Sequence, residues 1–318
     1  MRGAAVAIVI PSWNGQPLLE RFLPSVMDAM RSYEGECECI VVDDGSTDST
    51  EAWLREKYPC VQVVKRKRNA GFSTAANDGI RAARHELVLL LNNDIEVDAA
   101  FLKPLVASFE NNPQLFAAGS IQRTRNVDGT LRNSGISEII YQDGHLSFVE
   151  STEKFLNGDT HPFLVANGGC TVFSRDKLLQ LGLFSELFNP FYGEDTELSI
   201  QALKRGWKIR YVPQSVVIHQ HGTTSQRKSF LIRFTPMRNG FYIHWLTLDT
   251  PRLWESYLLY FCSQFFHSIL FLRPRFILGL LFALFHAPAL IHERKRRERN
   301  RIFSLEDLLK DARADSIS

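Results

Sequence analysis

The sequence predicts an α/β fold: a mainly parallel central sheet with helices on both faces, followed by an apolar helical appendage. Three observations predict it. Short runs of consecutive apolar residues alternate with helix-periodic segments over the first third of the chain, as fully buried parallel strands require. Acidic residues stand at the ends of those runs, where the carboxyl ends of parallel strands form a ligand-binding rim. From Leu253 the chain turns strongly apolar and then basic.

The elements follow in order. Val6 to Ile10 is a continuous apolar run closed by Pro11, a buried strand. Residues 16–33 place Leu19, Phe22, Leu23, Val26 and Met30 at helical spacing. Cys39 to Val42 is a second strand ended by Asp43-Asp44-Gly45-Ser46, after which Thr47 or Asp48 caps a helix to about Lys57. Val61 to Val64 is a third strand, 71–84 a helix, and Leu87 to Leu91 a fourth strand. Segment 120–165 is polar and turn-rich, and reads as irregular or hairpin structure. Order returns with a strand at 171–173, a helix at 194–205 and a strand at 207–212.

Composition narrows the function. The 318 residues are 45% hydrophobic and 23% charged, ordinary globular proportions that exclude a disordered, collagen-like or multi-span membrane chain. Lys+Arg 37 against Asp+Glu 35 leaves +2, no global field to recruit nucleic acid. Cys37, Cys39, Cys60, Cys170 and Cys262 form neither a disulfide framework nor a zinc spacing, and read as reduced thiols. The first apolar run leads into Pro11-Ser-Trp-Asn-Gly15 rather than a cleavage site, so no secretion signal is expected.

The tail carries two apolar stretches, Tyr257 to Leu272 and Phe276 to Ile291, before a basic run from Arg294 to Arg301. Sixteen helical residues reach only about 24 Å against a hydrocarbon core of about 30 Å. The expectation is a helical pair lying in or dipping into one membrane face, with the basic run against anionic headgroups. A hairpin packed on the α/β domain or on another subunit, or a two-helix span, are the alternatives.

Asp43, Asp44 and Asp94 end strands on one rim, where carboxylates suit a hard divalent cation and a ribose or base edge. The first strand is followed by no G-x-G-x-x-G, and there is no P-loop, which argues against those two nucleotide-binding devices.

Pro11-Ser-Trp-Asn-Gly15, Val41-Val-Asp-Asp-Gly-Ser-Thr-Asp-Ser49, Asn69-Ala-Gly-Phe-Ser-Thr-Ala-Ala-Asn77, Leu91-Asn-Asn-Asp94 and Tyr192-Gly-Glu-Asp195 together resemble the family 2 glycosyltransferases of GT-A fold. The nearest branch is the rhamnosyltransferase-like one of bacterial surface-polysaccharide enzymes. The resemblance covers about 5–225, which divides the chain into a catalytic domain at 1–225, a linker or helical extension at 226–252 and the apolar helical pair with its basic tail at 253–318.

The resemblance implies roles. Pro11 and Asp44 match positions holding the nucleotide base; the alternative for Asp44 is turn chemistry. Asn69, Gly71 and Phe72 match a stretch beside the diphosphate and base; the alternative is a helix start capped by Asn. Trp13, Asn14 and Asn93 fall in the same nucleotide-sugar set. Gly168 and Gly169 match a small-residue stretch that leaves room for the donor sugar. Asp94 matches the last acid of the D-x-D metal motif, here reduced to Asn92-Asn93-Asp94, and His219 or His221 supplies a further ligand or a diphosphate donor. Asp195 matches the base that deprotonates an acceptor hydroxyl, and Glu194 a sugar or acceptor contact; the alternative is that these acids only favour the helix dipole. Segment 127–165 would hold the acceptor.

The implied activity is inverting transfer of a sugar from a nucleotide-diphosphate donor, dTDP-rhamnose first and a UDP-hexose next. The acceptor is a hydroxyl of a lipid-linked saccharide or polysaccharide at the cytoplasmic membrane face, and Mn²⁺ or Mg²⁺ is the cofactor. The rivals are a catalytically inactive relative serving as a membrane-bound scaffold and a sugar nucleotidyltransferase.

Overall fold

The computed structural model describes residues 3–125, 129–156, 163–220 and 234–315. The first half alternates regularly: β1 (Val6–Ser12), α1 (Gln16–Ser32), β2 (Cys37–Asp43), α2 (Thr50–Lys57), β3 (Gln62–Lys65), α3 (Phe72–Ala82) and β4 (Leu87–Leu91). Next come β5 (Ile95–Val97), α4 (Leu102–Ala107), β6 (Leu115–Arg125), β7 (Leu131–Ser134), and the hairpin of β8 (Ser137–Gln142) with β9 (His145–Glu150). After these lie β10 (Cys170–Ser174), α5 (Arg175–Leu181), α6 (Glu194–Leu203) and β11 (Lys208–His219). The chain continues as α7 (Thr235–Thr247), α8 (Pro251–Leu270), α9 (Pro274–Phe285), α10 (Ala287–Glu298) and α11 (Leu305–Asp315).

Among the described residues, the main sheet has nine strands in the order β3-β2-β1-β4-β10-β6-β11-β5, with β7 on β6. The β3-β2-β1-β4 half is parallel, as the apolar runs predict. Beyond β4 the sheet is mixed: β10 runs antiparallel to both β4 and β6, while β11 is parallel to β6 and antiparallel to β5. Strands β5 and β6 are not legible in the sequence, because one is three residues long and the other runs into polar residues.

Side chains of β1 alternate between two cores. Val6, Ile8 and Ile10 belong to the core that also holds residues of α1, α2 and α4, and Ala7 and Val9 to the core that holds residues of α3, α6 and α7. Both faces are dry, which is why β1 and β4 read as unbroken apolar runs.

Two features of the C-terminal third bear on the expectations from sequence. Of the linker or helical extension expected at 226–252, the described part is the helix α7, whose Phe241, Tyr242, Ile243 and Leu246 are buried in the same core as Phe173 and Leu198. The basic run, in turn, does not as a whole face outward. The Arg297 guanidinium, 2% exposed, donates to the carbonyls of Leu181 and Leu183 and pairs with Glu197 at 3.2 Å. Arg294 donates to the carbonyls of Trp245 and Leu248. Beside them Lys204, fully buried, pairs with Asp249 at 2.7 Å and Glu298 at 2.8 Å. These arginines fasten α10 to α6 and α7, because a desolvated backbone carbonyl or carboxylate binds a guanidinium more tightly than a solvated headgroup can.

Candidate active site

Two loops leave the carboxyl ends of the parallel strands β2 and β4, and the loop between α5 and α6 meets them. After β2, the Asp44 carboxylate accepts the Gly71 N–H at 2.9 Å and the Ala70 N–H at 3.1 Å, and pairs with Arg66 Nε at 3.0 Å. Burial raises the Asp44 pKa, while those N–H bonds and Arg66 pull it back. Its first task is therefore to tie the β2 loop to the start of α3. Asn14 works alongside: its amide oxygen accepts the Thr47 N–H at 2.7 Å and its own N–H donates to Ser46 Oγ at 2.8 Å.

The start of α3 is not capped by Asn69, which is exposed. Gly71, at φ +99°, sits at the N-cap, and a Cβ there would fall 2.7 Å from Asn189 Oδ1. The Phe72 N–H donates to the Pro190 carbonyl and the Ser73 N–H to Asn189 Oδ1. A loop from beyond α5 thus supplies the missing cap.

After β4, Asn93 Nδ2 donates to Ser12 Oγ at 2.9 Å, and the Asn92 N–H donates to the Gly169 carbonyl at 2.8 Å. The β5–β11 register brings His219 opposite Ile95, beside Asp94. His219 Nε2 lies 3.1 Å from Asp94 Oδ1, and Nδ1 lies 3.0 Å from Gln122 Oε1. Both ring nitrogens thus face oxygens, and in the tautomer that donates Nδ1–H to Gln122 the Nε2 lone pair is available to a cation beside Asp94. Two acceptors in that relation suit a shared cation. Among the described residues no group of three or more His, Cys, Asp and Glu forms a complete metal cage. One carboxylate completed by substrate phosphates is a usual way to hold Mg²⁺, and imidazole is a further metal donor, so this pair fits part of a divalent cation's shell. His221 lies outside the described residues. Gln122, which orients His219, gave no sequence signal.

The third loop carries the acid pair. Asp195 opens α6 half-buried, and its carboxylate accepts N–H bonds from Thr196 and Gly168. Burial raises its pKa, and those bonds pull back toward ionisation. Glu194 is buried, with Oε2 unpartnered, and its pKa is raised by burial and by the Asp195 charge. The pair therefore favours a single negative charge, held on Asp195.

Gly168 closes the arrangement. Its N–H reaches Asp195, the ring of Phe72 packs on it, and Gly169 bonds to Asn92. Asp44, Asp94 and Asp195, from distant parts of the chain, are thus joined through short hydrogen bonds and one ring contact. Pro11 and Trp13, half-buried, lie on the same rim where β1 ends beside Ser12 and Asn93. Segment 127–165 is represented by β7 and the β8–β9 hairpin, with 126–128 and 157–162 outside the described residues.

Sequence reasoning gave the extension that contains α7 no part in the site. Asn239 Nδ2 donates to the carbonyls of Phe188, Phe191 and Tyr192, and Arg238 donates to that of Asn189 at 2.6 Å. These bonds hold a loop that enters α6 through two left-handed residues, Tyr192 at φ +77° and Gly193 at φ +95°. Asn239→Ala is expected to cost about 1–3 kcal/mol of stability, read as a lower urea midpoint, because it strands buried carbonyls beside the acid pair.

The fold and the converging acids define a glycosyltransferase of GT-A fold. The chain belongs to the family described as glycosyl transferase family 2, whose sequence profile matches residues 7–182. An Escherichia coli chondroitin synthase is 27% identical over 238 residues, 68% of this chain and 34% of that protein, so the chain spans about a third of that relative's length. A Mycobacterium tuberculosis N-acetylglucosaminyl-diphospho-decaprenol L-rhamnosyltransferase is 25% identical over 243 residues, 69% of this chain and 77% of that protein. In fold, the chain resembles GalNAc-T7 solved with UDP, GalNAc and Mn²⁺ (TM-score 0.58, 18% identity, 78% of this chain and 48% of that one). It also resembles the mannosyltransferase PcManGT of Pyrobaculum calidifontis solved with GDP-Man and Mn²⁺ (TM-score 0.55, 18% identity, 99% of this chain and 87% of that one).

Proposed function

We propose that the enzyme transfers a sugar from a nucleoside-diphosphate donor to a hydroxyl of a lipid-linked saccharide or polysaccharide, in one displacement with inversion, at the cytoplasmic face of the membrane. The observation that carries this reading is the junction of Gly168-Gly169 with Asn92, from which Asp195 is one hydrogen bond away and the Asp94–His219 pair two residues away. The mycobacterial relative's name specifies a rhamnosyl donor and a lipid diphosphate acceptor, which favours dTDP-rhamnose first and a UDP-hexose next. The UDP, GDP-Man and Mn²⁺ in the structural neighbours support a nucleotide sugar and a divalent cation.

In this reading the rim around Ser12, Trp13, Asn93 and Phe72 holds the nucleotide, and the small residues Gly168 and Gly169 leave space for the sugar. Asp94 and His219 would hold Mn²⁺ or Mg²⁺, which when bound offsets charge on the departing diphosphate. Asp195, ionised and oriented by Thr196 and Gly168, takes the proton from the acceptor hydroxyl as that oxygen attacks the anomeric carbon. One carboxylate base suffices because no covalent glycosyl-enzyme forms.

A thermal-shift panel of dTDP-rhamnose, UDP-glucose, UDP-GlcNAc and GDP-mannose, with Mn²⁺ and with EDTA, tests the donor and the cation together. One donor should raise the Tm with Mn²⁺, by an amount corresponding to about 2.7 kcal/mol at a hundred times its Kd. EDTA or Asp94→Asn should remove most of that shift. If no nucleotide sugar shifts the Tm, the reading fails.

A further inference from the structure

With Arg294 and Arg297 turned inward, the tail presents a different surface. From Ser256 to His292 the sequence has no Asp, Glu or Lys, and only two Arg, Arg273 and Arg275. Both arginines are exposed at the turn between α8 and α9. Around them stand large apolar side chains with little cover: Leu272 is 86% exposed and Leu270 75%, with Phe266 and Phe271 beside them, and Phe285, 81% exposed, ends α9, about 15 Å along the helix. Monomeric soluble proteins rarely leave so large an apolar patch in water.

We infer that this face of α8 and α9 is a membrane-docking surface. Leu270, Leu272 and Phe285 enter the boundary of the acyl chains, and Arg273 and Arg275 lie at the lipid phosphates. The inference deepens the proposed function, since it names the surface that brings the site to a lipid-held acceptor, and it rests on that reading for the acceptor alone.

The charge pattern selects a bilayer over a second copy of the chain. A two-fold contact across the turn would bring Arg273 and Arg275 toward their own copies, with no acid in the patch to offset them. Lipid phosphates offset them directly.

The mode is insertion into one face rather than a span. Among the described residues no single helix is long and apolar enough to cross a membrane, and the pair α9–α10 that together approaches the length is bent by 69°. The second half of that pair is committed elsewhere, because Arg294 and Arg297 of α10 are bonded to carbonyls of the catalytic domain. Interfacial helices bury their apolar face only about 5–10 Å deep, which side chains projecting from this turn can reach.

The surface is also held in register with the site. Gly279 of α9 lies so close to α7 that a Cβ there would come 2.6 Å from Met237 Cγ. The next two residues of α7, Arg238 and Asn239, hold the loop before Glu194 and Asp195. Two packed helices therefore set the height of the acid pair over the bilayer.

Vesicle flotation of the full chain tests this. Two vesicle compositions are needed, phosphatidylcholine alone and phosphatidylcholine with phosphatidylglycerol, each with and without 0.5 M NaCl. The protein should float with both, bind the anionic vesicles more tightly, and keep most binding in high salt. The triple variant Leu270→Glu/Leu272→Glu/Phe285→Glu should lose tenfold or more in partition coefficient. Lys295→Glu/Arg299→Glu, which reverses exposed charges at the C-terminal end of α10, should bind as the parent does.

Absence of binding to either vesicle would overturn the inference. So would binding that needs phosphatidylglycerol, disappears in salt and is lost in the Lys295/Arg299 variant, or a dimer in gel filtration that the triple variant dissociates while vesicles go unbound. The Tm shift that dTDP-rhamnose, or whichever other donor of the panel shifts the parent, produces with Mn²⁺ should be the same in the parent and the triple variant. It reports on the donor site and on the fold separately from docking, so either reading can fail alone.

Discussion

Replacing Asp195 with Asn should lower kcat by about 10²–10⁴-fold, the usual contribution of a positioned general base, while the donor-induced Tm shift persists. The amide keeps the size of the carboxylate and its oxygen can still accept the Thr196 N–H bond, but it has no basicity to offer an acceptor hydroxyl. The pH profile should carry a second signature. Burial raises the Asp195 pKa, so the acidic limb of kcat/KM should lie above the ordinary Asp range near ~4. Glu194 holds its proton to still higher pH, because burial and the Asp195 charge act together. Both groups bind protons more tightly folded than unfolded. Their contribution to stability is therefore present at pH below the unfolded value and lost as pH rises through the raised ones. Glu194→Gln should accordingly raise the Tm at alkaline pH and leave it unchanged at pH 4. If Asp195→Asn retains full transfer activity, the base assignment is wrong. If neither parent nor variant transfers any sugar, the inactive-scaffold alternative stands.

Arg297→Met should be the most destabilising single change, about 3–5 kcal/mol, because it leaves Glu197 buried with its charge uncompensated. Glu197 is fully buried, and burial already raises its pKa against the pull of Arg297. With Arg297 gone the pKa should rise further, so the loss should shrink as pH falls and Glu197 takes up its proton. The double variant Glu197→Gln/Arg297→Met should recover much of the loss, since an uncharged pair of similar volume removes the desolvation cost. Urea midpoints across a pH series read both effects. If the single variant does not fold, Arg297→Lys provides the comparison: it keeps the charge but cannot serve the Leu181 and Leu183 carbonyls and Glu197 together. Equal midpoints for parent and Arg297→Met would show that α10 is held by apolar packing instead.

The parallel half of the sheet was legible because each strand there is buried on both faces, and an unbroken run such as Leu87–Leu91 admits few other readings. Asp44 and Asp94 were legible because a strand end is a local feature, and parallel strands bring their ends to one rim, whereas Asp195, at the start of α6, was legible only through its motif. Glycine at 168 and 169 was legible only through its motif. The cap on α3, the Gln122 bond to His219 and the grip of Asn239 on the acid loop were not, since each joins residues far apart in sequence.

The tail divides the same way. By itself the sequence determined the parallel core, the rim acids, and an apolar segment followed by a basic one, because periodicity, strand ends and composition are written in neighbouring residues. Only the tertiary structure decided where those basic residues go. A guanidinium finds its lowest free energy wherever desolvated acceptors converge, and for Arg297 they lie on α6 and the turn after α5. That choice makes Arg294 and Arg297 the fastening of α10 to α6 and α7, and leaves Lys295, Arg299 and the apolar turn at Leu272 exposed.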